Sequence, residues 1–268
     1  RWLDYWLKGI DTKIMDEPPV VLYLAGADEW RYEDEYPLAR TKWTKFYLQS
    51  NGKAGEPPYG SLSGKVPGKD NPDSYLYPEA QKKVEANQPV LGYLSPPLKE
   101  DTDIIGPASL TLYASSTGTD TAWFIKLDDE APDGSIKMVS KGWLKASHRQ
   151  VDETKSKTGQ PFHTHTNPAP IEPDKVYKYE IEIWPIFRTF KAGHKIRLRM
   201  ASNDSHVWDV DIFHAGVDNL VKNTIYHDRD FPSYLLLPVI AGKSSSSKRH
   251  PPIKFKPRSA DHLFGHVP

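Results

Sequence analysis

The chain has 268 residues, enough for one large β domain or two small ones. Lys and Arg together number 35 and balance 35 Asp and Glu, which argues against a nucleic-acid binder with its basic excess. The absence of cysteine excludes a disulfide scaffold, a thiolate zinc site, an iron–sulfur cluster and a cysteine nucleophile, and fits a reducing or an oxidising compartment equally. No apolar run is long enough for a membrane-spanning helix. The chain opens on Arg1 with no signal-peptide pattern, which reads as a piece of a longer protein.

In chain order, Trp2, Leu3, Trp6 and Leu7 line one face of a helix that Gly9 ends. A helix with such a face normally packs on something upstream. Val20 to Leu24 reads as a strand, Ala25 to Arg31 as a loop and Lys45 to Leu48 as a short strand. Residues 50–74, rich in Gly, Pro, Ser, Lys and Asp, read as one long polar loop. Tyr75 to Tyr77 and Leu91 to Leu94 are short extended pieces.

The second half has the clearer alternation. Strands are expected at Ala108 to Ser115 and Ala122 to Leu127, followed by a turn at Ala131 to Ser135. Ile136 to Val139 and Trp143 to His148 continue the meander. Lys175 to Trp184 is another strand, with Tyr179 out of phase with Ile181 and Ile183. Lys195 to Met200 alternates cleanly: Ile196, Leu198 and Met200 inward, with Lys195, Arg197 and Arg199 outward as a solvated face. Tyr234 to Ile240 is the last strand, and residues 243–268, with their serine run and basic, Pro-rich end, read as a mobile tail. Many short β runs separated by Pro and Gly indicate an all-β sandwich.

Candidate chemistry is sparse. Gly60-Ser61-Leu62-Ser63-Gly64 invites comparison with the nucleophile elbow, which needs a strand before it and a helix after it. The flanks, Glu56-Pro57-Pro58-Tyr59 and Lys65-Val66-Pro67-Gly68, supply neither. His163 and His165 form an H-x-H pair, which on a strand would share a face as metal ligands do. Pro161, Pro168 and Pro170 instead make the segment an extended loop, and no third ligand lies nearby, so no metal site is expected. Asp204, His206, Asp209, Asp211 and His214 form a dense cluster, read as an exposed loop rather than a cation or acid–base site. Asp101 and Asp103 read as turn residues before a strand. His227 reads as a loop histidine, since no nucleophile on a strained turn accompanies it. No catalytic residue and no cofactor are assigned to the chain.

The order of segments resembles the C-terminal part of the CocE/NonD serine hydrolases, which include cocaine-esterase-like enzymes, α-amino acid ester hydrolases and X-prolyl dipeptidyl-peptidases. The resemblance is carried by RWLDYWLKGIDTKIMD (1–16), by PVVLYLAGADEWRYEDEYP (19–37) and by GPASLTLYASSTGTDTAWFIKLDDEAPDG (106–134). The stretches IEIWPIFRTFKAGHKIRLRMAS (181–202) and HDRDFPSYLLLPVI (227–240) add to it. It implies a remnant helix of an upstream α/β-hydrolase domain at 1–16, a galactose-binding-like jelly-roll β-sandwich at 17–242 and an uncovered tail at 243–268. The catalytic serine, aspartate and histidine would lie upstream of this chain, in a hydrolase domain of the same polypeptide that cleaves small esters or amides through an acyl-enzyme.

Leu112 and Tyr113 would fall on a strand that reaches the acyl pocket and would wall it. After Ser202 the sequence departs from the family's N-x-N-T-G-like loop. A second reading is a carbohydrate-binding sandwich with Trp30, Trp123 and Trp208 as its aromatic platform. A third gives the sandwich face or the tail a role in joining subunits of a homo-oligomer. Nucleic acid and membrane are not among the expected partners.

Overall fold

The structure, a computed structural model, describes residues 1–77, 89–203 and 220–240. The Asp204–His214 cluster, Trp208 and the 243–268 tail lie outside the described residues.

The chain is mostly β. One helix, α1 (Trp2–Lys8), opens it and ends at Gly9 in the left-handed conformation. The strands are β1 (Val20–Leu24), β2 (Glu29–Glu33), β3 (Thr41–Gln49), β4 (Gly60–Ser63), β5 (Asp73–Tyr77), β6 (Leu91–Leu94), β7 (Thr102–Ser116), β8 (Ala122–Glu130), β9 (Ile136–Lys145), β10 (Tyr177–Phe190), β11 (Lys195–Ala201), β12 (Val221–Tyr226) and β13 (Tyr234–Ile240). β1 and β2 form a separate hairpin. The others make one large mixed sheet in the order β5-β12-β7-β13-β3-β4-β6-β11-β8-β9, with β10 also paired to β7. All pairings are antiparallel except β4 with β6.

Alternation sets the core. Leu110 and Leu112 of β7, Ile181 and Ile183 of β10 and Leu235 and Leu237 of β13 point to one side. They share a core with Ile125 and Leu127 of β8, Ile196 and Leu198 of β11, and Tyr93 of β6. The sheet therefore folds back so that its two ends face each other. Trp123 of β8 meets Tyr179 of β10 at 5.4 Å between ring centres. Where β9 crosses β10, Ser140 Oγ donates to the Trp184 carbonyl at 2.7 Å, and Gly142 lies so close that a Cβ there would sit 2.0 Å from the Glu182 carbonyl oxygen. The β1–β2 hairpin docks on the far end of β10 around Leu24, Leu38, Ile105 and Ile240. Gly26, at φ +86, allows the hairpin to approach the Thr189 carbonyl.

Several expectations need correction. Ala25 to Arg31 is not all loop, since β2 begins at Glu29. The supposed loop at 50–74 contains β4 and the start of β5. Tyr179 is in phase, fully buried beside Ile181 and Ile183. Asp103 lies within β7, where it accepts from Arg31 Nη1 at 2.5 Å and from Thr189 Oγ1 at 2.6 Å.

The outer face of β11 is solvated only at Lys195. Arg197 is only 8 % exposed, and its Nη1 lies 3.0 Å from Glu130 Oε2. Arg199 grips the fully buried Asp128 through Nε (2.5 Å) and Nη2 (2.9 Å). A shift in the β8–β9 register at Leu127/Asp128 brings two consecutive aspartates into the buried layer. Asp129 there accepts from Arg188 and from His194 Nδ1.

Candidate functional site

The densest buried polar group joins three loops at one end of the large sheet. The turn after β3 brings Ser50, the segment before β5 brings Asp70, the first residue of β5 is Asp73, and the residue after β12 is His227. His227 Nδ1 lies 3.0 Å from Asp70 Oδ2, and its Nε2 lies 2.8 Å from Asp73 Oδ2. Asp73 also accepts from Ser50 Oγ (2.6 Å), Tyr93 OH (2.7 Å) and the Ala54 backbone N–H (2.9 Å). Asp70 accepts the N–H groups of Ser50 and Asn51, so the two carboxylates wrap the 50–54 turn around themselves. The His227 side chain is fully enclosed and that of Asp73 nearly so.

Burial alone would pull the His227 pKa down, but the hydrogen bonds and charges of Asp73 and Asp70 outweigh it and the net shift is upward. Burial alone would raise the Asp73 pKa, but donation from His227, Ser50, the Ala54 N–H and Tyr93 outweighs it and lowers it. Burial also raises the Tyr93 pKa well above the ordinary phenol value. Both ring nitrogens of His227 thus face carboxylate oxygens, and the upward shift favours the protonated imidazolium between them.

Ser50, His227 and Asp70 stand in the order of a hydrolytic triad, with Ser50 Oγ 3.3 Å from His227 Nε2. A triad histidine needs an unprotonated nitrogen facing the serine. Here Asp73 lies nearer to that nitrogen and also takes the serine's hydrogen bond. His227 has no free base to offer, and the group is a structural clamp. A polar cavity of about 590 Å³ opens above it, lined by Gln49, Ser50, Tyr59, Ser61, Lys69 and Asp70.

An aromatic ledge lies beside the clamp. Phe231, in the loop after His227, sits 5.7 Å from the Tyr113 ring and 5.6 Å from the Tyr226 ring. The buried Ser233 fixes this loop: its Oγ donates to the Tyr226 carbonyl (2.6 Å) and accepts the Tyr113 N–H (2.9 Å). On the same face of β7 as Tyr113, Thr111 lines a second cavity of about 310 Å³ with Glu180, Tyr234, residues 156–159 and Pro161.

The residues singled out from sequence are scattered. Leu112 and Tyr113 are neighbours on β7 and point to opposite faces. Leu112 is sealed in the core, while Tyr113 is half-buried on the ledge. Trp30 lies on β2 against Tyr23, 53 % exposed. Trp123 is fully enclosed, so it has no face to present to a sugar. The supposed elbow is strand β4, and Leu62, which stands at the elbow's serine position, is buried in the core. His227 is a clamp residue rather than an open-loop histidine. Ser50, Asp70, Asp73 and Tyr93 were missed, because they lie in separate segments with no motif spacing.

The apolar surface is concentrated at the other end of the chain. Of the sixteen large apolar side chains that are exposed among the described residues, nine fall in the first 36: Trp2, Leu3, Trp6, Leu7, Ile10, Met15, Tyr23, Trp30 and Tyr36. α1 buries none of its residues.

Comparison with known proteins shows the family of the chain. The family model described as the X-Pro dipeptidyl-peptidase C-terminal non-catalytic domain matches residues 12–236. Cocaine esterase of Rhodococcus sp. (strain MB1 Bresler) is 27% identical over 269 residues, covering 89% of this chain and 45% of that protein. A CocE/NonD family hydrolase of Staphylococcus aureus superposes with a TM-score of 0.74 at 20% identity, over 89% of this chain and 44% of its own. An aminopeptidase of a marine sediment archaeon, Thaumarchaeota archaeon, superposes with a TM-score of 0.66 at 22% identity, over 90% of this chain and 43% of its own. The chain thus spans less than half the length of each of these proteins.

Proposed function

Because the chain belongs to the C-terminal non-catalytic domain family of the X-Pro dipeptidyl-peptidases and CocE/NonD hydrolases, we propose that it is the covering domain of a serine hydrolase that cleaves carboxylic esters or amides through an acyl-enzyme. In this reading residues 1–16 are the last helix of a preceding α/β-hydrolase domain. Residues 17–242 are a jelly-roll β-sandwich of the galactose-binding type. Tyr113, backed by Phe231, helps wall the acyl pocket.

One observation carries the reading: the apolar surface gathered in the first 36 residues. A helix with Trp2, Leu3, Trp6 and Leu7 in water is unfavourable by roughly 25 cal/mol for each Å² left unburied, so it calls for a partner surface. That surface is at the N-terminal end, where a preceding domain would join. The clamp at His227, with its base occupied, supports a role without its own nucleophilic chemistry.

The test compares the chain alone with a longer protein that carries a hydrolase domain before Arg1, using a p-nitrophenyl ester. The chain alone is expected to be inactive and the longer protein active. In the longer protein, Tyr113→Ala should alter the ratio of kcat/KM between esters of large and small acyl groups more than it alters kcat/KM for esters that share one acyl group and differ in leaving group. Ester hydrolysis by the chain alone that disappears in Ser50→Ala overturns the proposal.

A further inference from the structure

The H-x-H segment resolves into a different pair from the one its spacing suggests. His163 is turned inward, with Nδ1 3.1 Å from the Gln150 carbonyl and Nε2 2.8 Å from the Glu180 carbonyl. Both its nitrogens are engaged. His165, at φ +57, keeps its ring 5.8 Å from that of His163 and meets His148, Nδ1 to Nδ1, at 3.1 Å. From this juxtaposition we propose that His148 and His165 form a two-histidine site for a first-row transition-metal ion, with Cu²⁺ the preferred occupant.

The distances suit this chemistry. A metal bound 2.0–2.1 Å from each nitrogen would see them about 100° apart, between the right angle of tetragonal copper and the tetrahedral angle of zinc. Imidazole nitrogen is a good ligand for copper, nickel and zinc, and the affinity order of divalent ions peaks at Cu²⁺. Two neutral imidazoles can turn both lone pairs toward one ion, whereas the metal-free pair has room for only one N–H···N bond.

The two segments that carry these histidines are anchored by their neighbours. His148 ends a 3₁₀ turn (Ala146–His148). The next residue, Arg149, stacks over Tyr177 at 4.5 Å and donates to the carbonyls of Ala146 and Ala169. His163 anchors the strand of loop that carries His165, through its two carbonyl contacts and a bridge to Val151. The site is therefore preorganised, which lowers the cost of ordering on binding. No group of three or more His, Cys, Asp or Glu among the described residues is arranged to hold a metal, so the remaining coordination positions fall to water.

The experiment uses the full chain without an affinity tag, titrated with Cu²⁺ and separately with Ni²⁺. Calorimetry and the copper paramagnetic resonance spectrum provide the readouts. The tightest Cu²⁺ equivalent should show two-nitrogen coordination and bind more tightly than Ni²⁺. Its affinity should fall at least ten-fold in His148→Gln and in His165→Asn. Asparagine tolerates the left-handed backbone at position 165, so that variant keeps the loop geometry. Proton resonance of the unmodified chain gives an independent check, with the His148 and His165 rings broadened first by substoichiometric Cu²⁺. Unchanged affinity in both variants, or first broadening at other histidines, overturns the site.

Discussion

Asp73 Oδ2 and His227 Nε2 meet at 2.8 Å with both side chains shut away from solvent, although they are 154 positions apart in the chain. Their pKa shifts run in opposite directions and bound a window of stability. His227's raised value gives a contribution that is full below its ordinary 6.5 and is lost as pH climbs through the folded value. Asp73's lowered value gives one that is full above its ordinary 3.8 and is lost as pH falls through the folded value. The pair therefore favours folding most between those two pH values. His227→Gln should cost about 3–5 kcal/mol near neutral pH by stranding buried carboxylates. Urea midpoints measured from pH 4 to 9 should fall less above pH 6.5 in the variant than in the parent, and equal slopes would sink the assignment.

The fork between Arg199 and Asp128 makes a second, opposite kind of prediction. Asp128→Ala leaves a guanidinium enclosed without its carboxylate and should cost about 3–5 kcal/mol. Replacing both partners with apolar residues, Asp128→Leu with Arg199→Met, should be milder than that single change, because no charge remains to be desolvated. The comparison is a denaturant series on the two variants, and a double variant less stable than Asp128→Ala would contradict it.

Gly142 offers a steric test. Alanine there would place its Cβ 2.0 Å from the Glu182 carbonyl oxygen, and backbone cannot move aside as a flexible side chain would. Gly142→Ala should cost about 1–3 kcal/mol by forcing β9 and β10 apart. Gly64→Ala, with open space around its added carbon, should change stability by no more than about 0.5 kcal/mol. Thermal melts of the two side by side will check the contrast.

The exposed helix should behave differently from the core. Trp6, 56 % exposed, meets the rings of Trp2 and Tyr5 in its own helix and belongs to neither buried apolar cluster of the described residues. Trp6→Ser should leave the urea midpoint of the chain alone nearly unchanged, within about 0.5 kcal/mol. The same change should reduce self-association measured by light scattering, because it shrinks the apolar patch. A large loss of stability would place Trp6 in a core that the structure does not show.

Alternation made most of the strands legible. Val20–Leu24, Leu91–Leu94 and Tyr234–Ile240 lie where their apolar residues put them. β4 escaped notice because its four residues are too few to show a period, and its partners are supplied by β3 and β6. Alternation also says which side of β11 faces outward without saying what covers that side. Arg197 and Arg199 thus read as solvated although Glu130 and Asp128 enclose them. The clamp was invisible for another reason. Ser50, Asp70, Asp73 and His227 are ordinary polar residues of ordinary-looking loops, and only the folded sheet brings the first three within 3.3 Å of the His227 ring. The H-x-H segment is the extended loop its prolines indicated, but the approach of His165 to His148, from a separate segment, carries no sequence signal.

β7, fifteen residues long, is paired on both edges, and every strand that pairs with it comes later in the chain: β10, β12 and β13. During synthesis, a nascent chain that has emerged only as far as residue 176 carries this apolar ribbon with both edges open. Unpaired edges of that length are templates for association with other chains. Ribosome-stalled or prematurely terminated products of this length should therefore be strong clients for holdase chaperones and be cleared into the insoluble fraction. Products that reach residue 240 have every strand needed to close both edges of β7.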